Sequence, residues 1–362
     1  MRQLRQPPSK WFACVTFIAV IVVFSARWTG LTRQTIPVLA VILVAAVLAA
    51  VHHAQHVASR VGPILGTLVL ALSVTAVEAG FIISVIASAN QVHLTLARDT
   101  VFSSLMLCCN GMLGLSLLVS TRREQTLKFD AFISGAAFAT VATVATLTMV
   151  LPTFTRSSPG PQFNAAQLTF ASTAAVVLYV LHAFKSTHWL HEYVGNEHRP
   201  GAQAAVTRQP SGLQALLSLG LLLVSLLAVI YGGEALAPFV EDAMRKANLP
   251  TSSVGVLIAM VVALPETLTA VKAAHAGQVQ VSFNLALGSA MASLGLTIPV
   301  VAITSGLLHF PLTLGLGPKE MVLLALTTVV GILTVVPGRA SVMRGSLHLT
   351  ICAAYVFLAL VP

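Results

Sequence analysis

The chain has 362 residues, 56% of them hydrophobic and only 9% charged, with a mean hydropathy of +0.89 and a formal net charge of +9. A soluble domain carries about a quarter of its residues as charges, so eleven acidic residues cannot solvate a globule of this size, and a soluble enzyme is excluded. Most of the surface must face membrane lipid, and the basic residues, scattered in ones and twos between apolar runs, exclude a nucleic-acid partner.

Apolar runs of about 20 residues predict eleven transmembrane helices, at 11–28, 35–51, 62–88, 99–120, 129–152, 166–185, 212–232, 252–274, 279–305, 319–337 and 343–361. The first follows a basic start that resembles a signal peptide, but no small-residue cleavage site closes it, so it reads as a retained helix. His52, His53 and His56 fall where the second helix leaves the membrane; the i, i+4 pair suits metal binding, pH sensing or a plain interfacial position. Cys14, Cys108, Cys109 and Cys352 lie inside apolar runs without metal-type spacing and read as packing residues. Glu234, Glu241 and Asp242 fall in the loop after the seventh helix, and Glu320 opens the tenth, where a carboxylate complements the helix N-terminus. With the N-terminus in the cytoplasm, thirteen of the twenty basic residues lie on that side, which predicts a cytoplasmic N-terminus and a periplasmic C-terminus. The longest polar stretch, 186–211, is then a cytoplasmic loop.

The fold class this implies is an all-α polytopic membrane protein. One extra N-terminal helix (1–33) precedes two inverted five-helix repeats, 34–185 and 212–362, joined by the 186–211 loop. The third helix runs through Ser73-Val74-Thr75-Ala76-Val77-Glu78 and the eighth through Val261-Val262-Ala263-Leu264-Pro265-Glu266, each an apolar run ending in a lone glutamate. The helices that follow are rich in small and polar residues, Asn110-Gly111-Met112 with Gly114 in the first half and Gly288-Ser289-Ala290-Met291-Ala292-Ser293 in the second. The two glutamate helices are five spans apart, an odd number, so they enter from opposite faces and their carboxylates can meet near the midplane. A carboxylate withdrawn from water gains proton affinity and an arriving cation lowers it again, so proton and cation compete for one site. That competition is the chemistry of antiport. Thr75, Asn110, Ser289 and Ser293 are candidate cation ligands, the last two at i, i+4 on one helix face. Pro265 removes an amide donor next to Glu266 and predicts a helix break that frees a carbonyl. The plainer alternatives are protonated, hydrogen-bonded glutamates and small residues that simply pack helices closely.

The stretch Ala263-Leu264-Pro265-Glu266-Thr267-Leu268-Thr269-Ala270-Val271-Lys272-Ala273-Ala274, then Asn284-Leu285-Ala286-Leu287-Gly288-Ser289 and Leu296-Thr297-Ile298-Pro299-Val300-Val301, resembles the second α-repeat of the ChaA-type branch of the calcium/proton exchanger (CAX) family, in the cation/Ca²⁺ exchanger superfamily. The first repeat is matched by Ser73 to Glu78, Arg98-Asp99-Thr100 and Asn110-Gly111-Met112. The resemblance extends over essentially the whole chain in length, helix count and repeat placement. It implies a bacterial inner-membrane antiporter that exports Ca²⁺, and in this branch Na⁺ or K⁺, against entering protons. Glu78 and Glu266 would be its ion- and proton-binding carboxylates, with Asn284 added to the candidate ligands. The chain departs from the Gly-Asn-Ala-x-Glu motif of many members, having Val74-Thr75-Ala76-Val77-Glu78 and Val262-Ala263-Leu264-Pro265-Glu266 instead. Because Ca²⁺ takes six to eight oxygens, water and backbone carbonyls must complete its shell, or the site favours a monovalent ion. The 186–211 loop holds only Glu192 and Glu197, so calcium regulation through an acidic segment is not expected.

The chain carries no nucleotide-binding motif or aspartyl-phosphate signature, so no cofactor is expected and an ion gradient must drive transport. An intramembrane enzyme would need a nucleophile and base, or a metal triad, at membrane depth, and the apolar runs do not supply one. A passive cation channel or other uncoupled transporter is the remaining alternative. A homo-oligomer stays open.

Overall fold

The computed structural model describes residues 9–30, 34–88, 95–121, 127–196, 211–250 and 252–361. The apolar runs fold as helices: α1 (Ser9–Thr29), α2 (Thr35–Val61), α3 (Pro63–Ser88), α4 (Leu96–Met106), α5 (Leu113–Thr121), α6 (Ala131–Ala145), α7 (Leu151–Phe154), α8 (Ala165–Asn196), α9 (Gly212–Lys246), α10 (Ser252–His275), α11 (Val279–Ala292), α12 (Ile298–Leu308), α13 (Pro318–Val335) and α14 (Val342–Leu360). A π turn over Leu107–Met112 joins α4 to α5 in one rod. Thr146–Val150 does the same for α6 and α7, and Ser293–Thr297 for α11 and α12. Among the described residues ten rods are long and apolar enough to cross a membrane, and α1 contributes a shorter apolar helix, Trp11–Ala26. The chain is therefore a multi-pass membrane protein, and its large exposed side chains, such as Phe17, Leu213, Ile303 and Leu307, meet hydrocarbon rather than water.

Several helices run past their apolar segments. No stop signal interrupts α2 until Gly62, whose φ of 91° is a left-handed conformation suited to glycine. The three histidines lie within α2, which continues past them to Val61. His52 stacks on Phe12 of α1 with ring centroids 3.9 Å apart, and buried His53 meets Thr16 at 3.4 Å. Likewise α8 continues to Asn196, over the first eleven residues of the predicted loop, because that stretch contains no proline and no glycine before Gly195. The α9 helix reaches Lys246 through an internal Pro238, which places Glu234, Glu241 and Asp242 on a helix and not in a loop. Asp242 pairs there with Arg245 at 2.8 Å and Lys246 at 2.6 Å. Pro265 does not break its helix: α10 is continuous from Ser252 to His275. Proline removes a single amide donor, that facing the carbonyl of Val261, and the hydrogen bonds on either side keep the rod intact.

Contacts divide the chain into two compact units, Met1–Ala89 with Thr187–Val240, and Asn90–Ser186 with Glu241–Pro362. In the first, α1, α2, α3 and most of α9 pack together. Thr16 of α1 and Ser225 of α9 share a hydrogen bond of 2.8 Å, and Ala50, Ala54 and Leu222 form a small core. In the second, α10 lies against α4, α5 and α11, and α14 against α5. A two-residue antiparallel pairing, β1 (Leu127–Lys128) with β2 (Arg339–Ala340), ties two of its turns together with Leu127 opposite Ala340. Glycine allows close approach of main chains here, since a Cβ on Gly255 of α10 would stand 2.8 Å from the main chain of Asp99 and Thr100 on α4.

Candidate functional site

Each unit holds one of the intramembrane glutamates. In the first, Glu78 is 2% exposed on α3, surrounded along its helix by buried Val74, Thr75, Val77 and Ala79. Thr75 precedes it by three residues and shares its helix face. Elsewhere on α3 the α9 helix packs closely, since Gly80 would bring a Cβ to 2.7 Å from Ile230, and Gly233 of α9 one to 2.8 Å from Phe81.

In the second unit Glu266 is half-buried on α10. Ser289 of α11 donates a hydrogen bond to its Oε2, and Ser289 in turn accepts one from the Cys108 thiol at 3.4 Å. Cys108 belongs to the π turn Leu107–Met112. Ser293, four residues beyond Ser289, is buried and opens the π turn Ser293–Thr297. Carboxylate, hydroxyl and thiol thus come from three elements, and π turns are a recurrent feature of functional sites in helices.

The oxygens of the two asparagines are engaged elsewhere in this unit. Asn110 is fully buried, with Nδ2 donating to Thr327 at 2.9 Å and Oδ1 facing Nδ1 of His348 at 3.0 Å. Asn284 accepts from Gln280 at 3.1 Å, which also donates to Ser134 and accepts from the amide of Asp130. Five residues separate Asn284 from Ser289, which turns its side chain about 140° around the helix from the serine.

Three features take their meaning only from the fold. Cys108 looked like packing. His348, 0% exposed on α14, is a buried polar group whose meaning lies in its distant partner Asn110. Asp99, in the first turn of α4, is buried with Thr95 at 2.9 Å and Arg98 at 2.8 Å, and shares a cavity with Glu320, Lys319 and Tyr355. Glu320 itself stands in the first turn of α13, as expected of a carboxylate that complements a helix start.

The chain matches the family model described as sodium/calcium exchanger protein twice, over residues 33–187 and 217–361. It is 40% identical over 324 residues to the putative ionic transporter y4hA of Sinorhizobium fredii, covering 89% of this chain and 87% of that protein. It is 28% identical over 347 residues to the sodium-potassium/proton antiporter ChaA of Escherichia coli, covering 93% of each. The crystal structure of the H⁺/Ca²⁺ exchanger CAX superposes with a TM-score of 0.69 at 16% identity, over 97% of this chain and 93% of that one; this likeness establishes the fold. The chain belongs to the sodium/calcium exchanger family.

Proposed function

We propose that the chain is a secondary active antiporter of a bacterial inner membrane, which exports Ca²⁺, Na⁺ or K⁺ from the cytoplasm in exchange for entering protons by alternating access. Its N-terminus is cytoplasmic and its C-terminus periplasmic. The observation that carries this reading is Glu266, a half-buried carboxylate inside an apolar rod with the Ser289 hydroxyl on its Oε2. A carboxylate at this depth costs several kcal/mol and is kept for binding. It takes either a proton or a cation, and Ser289 and Ser293 add oxygens to the cation. Glu78 with Thr75 has the same role in the other repeat.

The names of the relatives support this range of ions, one being a sodium-potassium/proton antiporter and one an H⁺/Ca²⁺ exchanger. With Asn110 and Asn284 engaged by other side chains, a cation here completes its shell with water, which suits Na⁺ or K⁺ and obliges Ca²⁺ to stay partly hydrated. Each proton entering down the potential supplies about 2.3 kcal/mol per 100 mV.

The test is the collapse of a proton gradient in everted membrane vesicles on adding Ca²⁺, Na⁺ or K⁺. Wild type should respond, and Glu266→Gln, which keeps the shape and removes the titrating group, should not. A wild-type response from assembled Glu266→Gln would refute the mechanism, and cation flux that ignores the proton gradient would identify a channel.

A further inference from the structure

We propose that His348 is a positioning residue for transport: it holds Asn110, and with it the π turn Leu107–Met112, in the geometry that presents Cys108 to Ser289 and so fixes the Ser289–Glu266 pair. The inference rests on the antiport reading and names a residue beyond its ligand set.

The contact originates in glycine. A Cβ on Gly114 would lie 2.9 Å from Leu349, 3.0 Å from the carbonyl of Gly345 and 3.1 Å from Cβ of His348. A Cβ on Gly345 would lie 3.0 Å from that of Leu117 and 3.1 Å from the carbonyl of Gly114. With both side chains absent, the backbones of α5 and α14 touch, and the His348 ring reaches Asn110. The amide oxygen of Asn110 only accepts, so Nδ1 of His348 carries the hydrogen between them. Nε2 faces the Thr334 hydroxyl at 3.1 Å. The nitrogen of Asn110 is held from α13 by Thr327, whose hydroxyl also donates to Sδ of Met106. Both ends of one side chain are thereby fixed from two helices.

A π turn holds one residue more than its helical neighbours and depends on outside partners for its register. Asn110 is the side chain of this turn anchored to α13 and α14, and Cys108, two residues earlier, points its thiol at Ser289. Loosening Asn110 lets the turn relax, withdraws the thiol, and leaves the Ser289 hydroxyl free to swing from Glu266. Cation binding then weakens because its ligands are no longer pre-arranged.

Half-saturating concentrations of Na⁺, K⁺ and Ca²⁺, measured in everted vesicles, separate positioning from plain stability. His348→Ala should raise them about fivefold to tenfold with the maximal rate within about twofold of wild type. His348→Gln, whose amide can still donate to Asn110, should restore most of the loss. Asn110→Ala should match His348→Ala, and the double variant should be no worse than either alone. Half-saturation at the wild-type value in assembled His348→Ala would overturn the proposal, as would His348→Gln behaving like the alanine variant. Should His348→Ala not assemble, Thr327→Val releases the other end of Asn110 and must raise half-saturation too; an unchanged value overturns the proposal. A wild-type protein without any cation-driven proton movement would instead bring down the antiport reading, and this one with it.

Discussion

On the proposed site, a single hydroxyl should decide how well Glu266 exchanges a proton for a cation. Ser289 donates to the carboxylate and in the proposed mechanism its lone pair takes a cation, so Ser289→Ala would remove both a charge-assisted hydrogen bond and a ligand. Hydrogen bonds to charged groups contribute about 1.5–3 kcal/mol, which predicts a rise of about ten- to a hundredfold in half-saturating cation concentration, with Ser289→Thr close to wild type. Competition fixes the sign of the pH effect. As pH falls, more of the carboxylate is protonated, so half-saturation should climb by up to tenfold per pH unit for each competing proton. A value independent of pH across the active range would show that proton and cation do not share the site. At this scale the glutamates were legible because carboxylates are scarce in an apolar chain. Cys108 and His348 were not, since their meaning lies in partners 181 and 238 residues away, which no local pattern displays.

Helices as elements were readable from hydropathy, while their ends and internal irregularities were not. Apolar runs mark where lipid is met, but a helix continues until glycine, proline or a competing partner stops it, and so α2, α8 and α9 outlast their runs. One π turn has a tertiary main-chain partner: the carbonyl of Met149, inside Thr146–Val150, accepts from the amide of Leu316 at 2.8 Å. Close helix packing yields a contrast that thermal unfolding in detergent can read. Gly255→Ala drives a Cβ against the rigid main chain of Asp99 and Thr100, and overpacking of this kind costs about 1–3 kcal/mol or more. A Cβ on Gly220, exposed on α9, meets nothing within 4 Å, so Gly220→Ala should leave stability unchanged or raise it slightly. Equal melting temperatures for the two variants would contradict the α4–α10 contact.

At the scale of the molecule, the compact units interleave segments from both halves of the chain, a division by packing that is separate from the repeats expected at 34–185 and 212–362. Contacts such as Thr16 with Ser225, 209 residues apart, assemble the first unit, and hydropathy carries no trace of them. Sidedness depends on α1. Its 21 residues extend about 31 Å at 1.5 Å per residue, matching a hydrocarbon core of about 30 Å, although its most apolar part, Trp11–Ala26, is shorter. If α1 spans, eleven crossings put the termini on opposite sides; if it lies along the surface, ten put them on the same side. Phe12 and Thr16 of α1 face His52 and His53 of α2 and Ser225 of α9, so α1 is seated along spanning helices and should cross with them. Alkaline phosphatase fused after Pro362 should therefore be active and a green fluorescent protein fusion at the same point dark, while the reverse pair would reduce the count to ten and invert the sidedness of one terminus.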